Sequence, residues 1–153
     1  MNYSLRSNFN SKGLRMNLSS PVTDNITELL VKIIEFTHTR QKILTQNINN
    51  IHSPGFVPKD LVVDEFSAVL SEAINEHIQN QRLVLRDTEN IKFGICGSFE
   101  VRPVVDKNAK ELLKENRNEY IELQINKLLE NSLNQRIAAK LLKQKQGMIS
   151  IFE

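Results

Sequence analysis

The sequence predicts a mainly α fold: long N- and C-terminal helices paired as a coiled-coil-like helical layer, with a small middle region of one helix and a short β-hairpin. Three observations lead there. Apolar residues recur at helical spacing near both ends of the 153-residue chain. A hydrophobic fraction of 40% is accompanied by only five glycines, which favours a helical body over a sheet-rich one. β-Branched and aromatic residues broken by glycine are confined to one stretch, Leu83 to Val105. The length allows one modest domain.

Residues 1–21 have little apolar content and no periodicity, and are expected to form a disordered arm within which Met16 is a second candidate start. Residues 22–60 are read as an N-terminal helix and the loop that ends it. From Thr23 or Asp24, residues suited to an N-cap, the apolar face runs through Ile26, Leu30, Ile33, Leu44, Ile48 and Ile51, with Thr37 and Gln41 interrupting it. Asn50, Ser53, Pro54 and Gly55 then withdraw the helix by local side-chain bonding, a missing amide donor and tolerance of positive φ, and Phe56 follows as an apolar anchor.

Residues 61–106 form the middle. Asp64 and Glu65 open a second amphipathic helix in which Phe66, Val69, Leu70, Ala73, Ile74, His77 and Ile78 share a face, ending near Gln81. Ile91 to Ile95 and Ser98 to Val101 then read as the arms of a hairpin. A short helix is expected from Asp106 to Glu115, across the boundary to residues 107–153, which then hold a break or cap at Asn116 to Asn118 and the C-terminal helix. Its expected seam is Ile121, Ile125, Leu128, Ser132, Gln135, Ala139, Leu142, Gln146 and Ile149, alternating steps of four and three. Leu129, Leu133, Ile137 and Leu141 widen the apolar face beyond what a two-helix seam needs. A monomer hiding one face would leave much of this stripe wet, which favours assembly, and the polar Ser132, Gln135 and Gln146 would fix register.

Chemistry finds little footing. A net charge of +2, from 20 Lys and Arg against 18 Asp and Glu, is too balanced to indicate a nucleic-acid partner. The single cysteine, Cys96, excludes an internal disulfide and a cysteine-cluster metal site, and is expected as a buried thiol or in the hairpin turn. His38, His52 and His77 lack metal-ligand spacing. Asp64 with Glu65 and Glu119 with Glu122 sit at helix starts, and Lys140, Lys143 and Lys145 in the last turns of a helix, where the macrodipole favours each sign. No cleavable signal, bilayer-spanning run or phosphate loop is expected. The residues therefore predict neither an enzyme nor a cofactor or metal site.

The stretch Arg40 to Phe56 resembles the N-terminal signature of the bacterial flagellar axial family of rod, hook and hook-associated proteins, where Asn-Ile-Ala-Asn runs into Thr-Pro-Gly-Tyr. Asn49 stands for the Ala, Ser53 for the Thr and Phe56 for the Tyr. The C-terminal helix is similar to that of the flagellar basal-body rod proteins of the proximal, FlgB type. Asn118, Ile121 and Glu122 match the lead, Glu130-Asn131-Ser132-Leu133 the Glu-Asn-Ser-Leu core, and Gly147-Met148-Ile149 the end. The lead departs from the pattern at Asn116, Arg117, Glu119 and Tyr120, and the Ala-x-Arg-x-Tyr segment of FlgC-type rod proteins is absent from Leu129 to Gln135. Thr23 to Lys59 and Asn116 to Ile151 together cover about half the chain.

The resemblance implies a structural subunit of the rod, assembling by helix packing into the proximal drive shaft. Its implied partners are copies of itself, other flagellar rod proteins, the rod-to-basal-ring adaptor and the flagellar type III export apparatus, with no nucleic acid and no small-molecule substrate. Export without a cleaved signal would place it in the periplasmic rod of the basal body. The implied subunit interface is Leu30, Ile33, Leu44, Asn47, Ile48, Asn50, Ile51, Pro54, Gly55 and Phe56 from the N-terminal segment. Ile121, Ile125, Leu128, Asn131, Gln135, Leu142 and Ile149 complete it from the C-terminal helix. A stand-alone coiled-coil adaptor is the alternative, and a basic nucleic-acid-binding regulator a more distant one.

Overall fold

The structure, a computed structural model, describes residues 21–151, with side-chain surroundings for residues 25–147. Of the expected arm, residues 1–21, all but Pro21 lie outside the described residues, and Pro21 belongs to the first helix instead. The first helix, α1, spans Pro21–Asn49, starting at a residue favoured in a helix's first turn, so Thr23 and Asp24 lie inside it rather than at its N-cap. A two-residue strand β1, Lys59–Asp60, leads to α2, Val63–Asn80. Strands β2, Ile91–Phe93, and β3, Phe99–Val101, pair antiparallel as the expected hairpin, with Lys92 opposite Glu100. Strand β4, Val104–Val105, then returns to pair antiparallel with β1, a second ladder that the sequence did not signal. Helices α3, Lys107–Glu115, and α4, Arg117–Ile151, complete the chain.

Local chemistry ends each helix where the residues indicate. At the end of α1 the Asn50 side chain donates to the Gln46 carbonyl (2.9 Å), and Gly55 takes φ of 72°. Gln81 closes α2 in the left-handed region. Asp106 caps α3 by accepting from the Ala109 amide (3.0 Å), and Asn116 accepts from the Asn118 and Glu119 amides at the start of α4.

The apolar core lies in the crook of α1, α2 and the hairpin, not between the terminal helices. Phe36, Leu61, Phe66 and Ile91 form its centre, with Phe93, Phe99 and Val101 packed against them. The Phe36 and Phe66 rings stack at 4.0 Å, and Phe66 meets Phe99 at 5.9 Å. Residues after Gln81 run back beside α2, tied by Arg82 to Glu76 and Arg86 to Glu72, each at 3.1 Å. Glu65 anchors their far end, accepting from the Thr88 hydroxyl (2.7 Å) and the Asn90 side chain (2.8 Å). At Gly94 in the hairpin a Cβ would meet the Ser98 side chain, Oγ at 1.8 Å and Cβ at 3.2 Å, so a larger residue there would have to displace Ser98.

Of the two places expected for Cys96 the structure shows the hairpin turn: it is exposed at the tip, in the left-handed region at φ of 58°, and is not a buried thiol. Lys32 holds this tip against α1. Its ammonium donates to the Gly97 carbonyl (2.6 Å), pairs with Glu35 (3.0 Å) and lies 5.2 Å from the centre of the Phe99 ring.

Candidate functional site

Helices α1 and α4 run antiparallel, because Asn47 meets Tyr120 and Gln124 while Thr37, earlier in α1, meets Asn131, later in α4. What joins them is a ladder of buried polar groups. Asn47 Nδ2 donates to Gln124 Oε1 (2.9 Å) and to the Lys59 carbonyl (2.8 Å), while its Oδ1 accepts from the Lys59 amide (3.2 Å). The Tyr120 hydroxyl donates to the Asn47 carbonyl (2.8 Å), and the Asn131 amide donates to the Thr37 carbonyl (2.7 Å). Thr37 turns its own hydroxyl to the Ile33 carbonyl (2.8 Å), the usual way a helix buries a threonine. Gln124 Nε2 is the one ladder donor left without a partner among the described residues.

Between these rungs lies a charged node. Arg40 grips Asp60 with two bonds, Nε to Oδ1 (2.8 Å) and Nη2 to Oδ2 (3.0 Å). Lys127 of α4 donates to the same Asp60 Oδ2 (3.0 Å) and to Asp106. The node thus ties α1, both β1–β4 strand ends, the cap of α3 and α4 together. Burial, the largest influence, pushes the Asp60 carboxyl up, but the bonds and charges of Arg40 and Lys127 outweigh it and hold the carboxyl below its ordinary 3.8. Burial likewise pulls the Lys127 ammonium down, and contacts with Asp106 and Asp60 lift it above its ordinary 10.5. Burial, then the charge of Asp106, pushes the Tyr120 hydroxyl up to about 12.

The expected interface residues divide three ways. Leu30, Leu44, Asn47 and Asn131 are buried in the chain's own packing, so in this conformation they join α1 to its own partners rather than to a second copy. Asn50 bonds Gln46 and Ser53 within its own turn. Ile33, Ile48, Ile51, Phe56, Ile121, Leu128, Gln135 and Leu142 are half-buried, whereas Pro54, Gly55 and Ile125 are exposed. Ile149 lies outside the residues whose side chains are described.

The seam itself is corrected. The inward line of α4 is Tyr120, Gln124, Asn131 and Ala138, while Ala139 and Gln146 face out. The α1 face opposite is polar, with Thr37, Arg40 and Asn47 all buried, so α4 turns inward the residues that can bond to them. Gln41 is exposed and does not interrupt the α1 face. Hydrophobic spacing misses Arg40, Asp60, Asp106, Tyr120, Gln124 and Lys127. The signal available was a charged residue, Arg40, at helical spacing between Phe36 and Leu44.

The face of α4 left outside is apolar. Ile125, Leu129, Leu133, Ile137 and Leu141, each four residues from the last, form an exposed ridge, with Leu129 64% and Leu133 58% accessible. Ile137 and Leu141 border a groove of about 260 Å³ whose other walls include Leu30, Ile33, Val63 and Leu70.

No reactive constellation forms among the described residues, which hold no group of three His, Cys, Asp or Glu fit for a metal ion. His77 is buried and its Nδ1 accepts from the Asn25 amide (3.1 Å), while His38 and His52 are exposed. None of the described helices is long and apolar enough to cross a membrane. Compared with known proteins, the chain matches no family model, no curated protein and no solved structure.

Proposed function

We propose that this chain is a non-enzymatic axial subunit of a bacterial flagellar rod, of the proximal, FlgB-like kind, which assembles by packing its terminal helices. The observation that carries this reading is the meeting of the two segments on which the family resemblance rests. Asn47, beside the Ser53 to Phe56 break, and Asn131, in the Glu-Asn-Ser-Leu core, both lie buried along one α1–α4 contact. Asn47 bonds Gln124 and Asn131 bonds Thr37 along that contact, which supports reading the two ends of the chain as a single device. The exposed ridge on α4 supports the reading further, because an apolar surface of this extent invites a packing partner.

In this role the polar ladder sets the register of the helical pair, and the Pro54-Gly55 break sends the chain from the helical layer into the outer region of α2 and the hairpin. The chain would pass through the flagellar type III export apparatus without a cleaved signal and join copies of itself, other rod proteins and the basal-ring adaptor in the periplasm. Deleting the gene in its bacterial host tests this directly. Loss of swimming, with basal bodies that lack the rod in electron micrographs, is the expected result, and intact rods in swimming cells would overturn it.

A further inference from the structure

We propose that the α4 ridge is a two-fold interface that pairs two copies of this chain antiparallel, with Leu133 on the symmetry axis. A two-fold contact requires a surface complementary to itself, and this ridge has that property. Around Leu133 the apolar residues fall at equal steps, Leu129 and Ile137 on either side and Ile125 and Leu141 beyond. Glu130 lies three residues before the centre and Arg136 three after it, both exposed. Neither has an ion-pair partner among the described residues. Turning a second copy through the two-fold brings each Glu130 against the other copy's Arg136.

The charges of the whole helix favour the same direction. Its first half carries Glu119, Glu122 and Glu130 against Arg117, at its first residue, and Lys127, which is committed to Asp60 and Asp106. From Asn131 to Gly147 there is no carboxylate, and Arg136, Lys140 and Lys143 are exposed. Parallel pairing sets base against base, whereas antiparallel pairing sets acid against base. Opposite Ile137 then stands the second copy's Leu129, the most exposed member of the ridge, at the mouth of the groove walled by Leu30, Ile33 and Leu70.

The pairing does not rest on the axial reading, and its failure leaves that reading standing. The full chain carrying Cys96→Ser and Leu133→Cys tests it by mild oxidation, since only a residue on a two-fold axis meets its own copy. A single disulfide-linked dimer is expected. Sedimentation of the Cys96→Ser chain should show a dimer, weakened about tenfold or more by Arg136→Glu and restored when Glu130→Arg is added. Circular dichroism establishes that each variant is folded. A monomer at all concentrations, absence of the cross-link, failure of the charge exchange to restore pairing, or a ladder of larger species would each overturn the proposal. So would a chain that pairs only after residues 1–20 are removed, because that segment would then be the ridge's occupant.

Discussion

Asp60 receives Arg40 through two bonds and Lys127 through a third, so its removal strands the buried Arg40 and leaves Lys127 with Asp106 alone. Breaking a buried pair from one side costs about 3 kcal/mol or more. Asp60→Asn is accordingly expected to lower the unfolding free energy by about 3 kcal/mol at neutral pH, read from urea denaturation. The same residue sets an acid limit. Its carboxyl is held below 3.8 in the folded chain, so between the two values the unfolded chain binds more protons. Its contribution is therefore complete above pH 3.8 and disappears as the pH falls through the folded value. The alkaline side has the reverse origin. Lys127 is raised above 10.5 and Tyr120 from 10.0 to about 12, so the folded chain keeps protons that the unfolded chain releases, and stability should fall as the pH rises past 10. Unfolding midpoints measured across both ranges check these slopes, and the Asp60→Asn variant should lack this residue's part of the acid one. Gly55 offers a simpler case. At φ of 72°, and with no atom within 4 Å of where a β-carbon would sit, Gly55→Ala meets backbone strain and no clash, and should cost about 1 kcal/mol by the same measurement.

Asp106 joins two elements by dividing its oxygens, one capping α3 at the Ala109 amide and the other receiving Lys127 from α4. Asp106→Asn keeps a capping oxygen and loses the charge, whereas Asp106→Ala loses both. The alanine variant should be less stable than the asparagine variant by about 1 kcal/mol, the usual worth of an N-cap, and equal midpoints would show that the cap contributes nothing. Elements of this kind were legible in the sequence. The Asn50 to Gly55 stop and the cap before α4 follow from side chains acting on neighbouring backbone, and the β2–β3 arms from β-branched and aromatic residues in one short stretch. Which side of α4 faces inward was not legible. Its apolar residues spread over most of the circumference, so hydrophobic spacing selected the line through Ile125 and Ala139. The choice was made instead by α1, whose Thr37, Arg40 and Asn47 need bonding partners. Hydrogen-bond complementarity between segments so distant in sequence leaves no periodic trace in either. The β1–β4 ladder was hidden for a related reason: two residues in each strand are too few to show alternation.

At the scale of the whole molecule two kinds of interior divide the work. The aromatic cluster of Phe36, Phe66 and Phe99 binds α1 to the middle region, and the polar ladder binds α1 to α4. Such a division leaves Leu129 and Leu133, at the centre of the α4 ridge, largely outside the fold while keeping them on a helix whose register is fixed. Changing them should therefore separate folding from assembly. Leu129 and Leu133 are each more than half accessible, so replacing both by serine removes apolar surface from water without opening a cavity. The double variant is expected to unfold within about 0.5 kcal/mol of the parent, as surface substitutions do. On the proposed axial reading, the double variant expressed in a deletion strain should nevertheless fail to restore swimming, and electron micrographs should show basal bodies lacking the rod. A destabilised variant would mean that the ridge packs within its own chain. A folded variant that restores full swimming would mean that rod assembly uses another face, and attention would pass to the exposed Pro54-Gly55 break and the apolar residues Ile74 and Ile78 of α2.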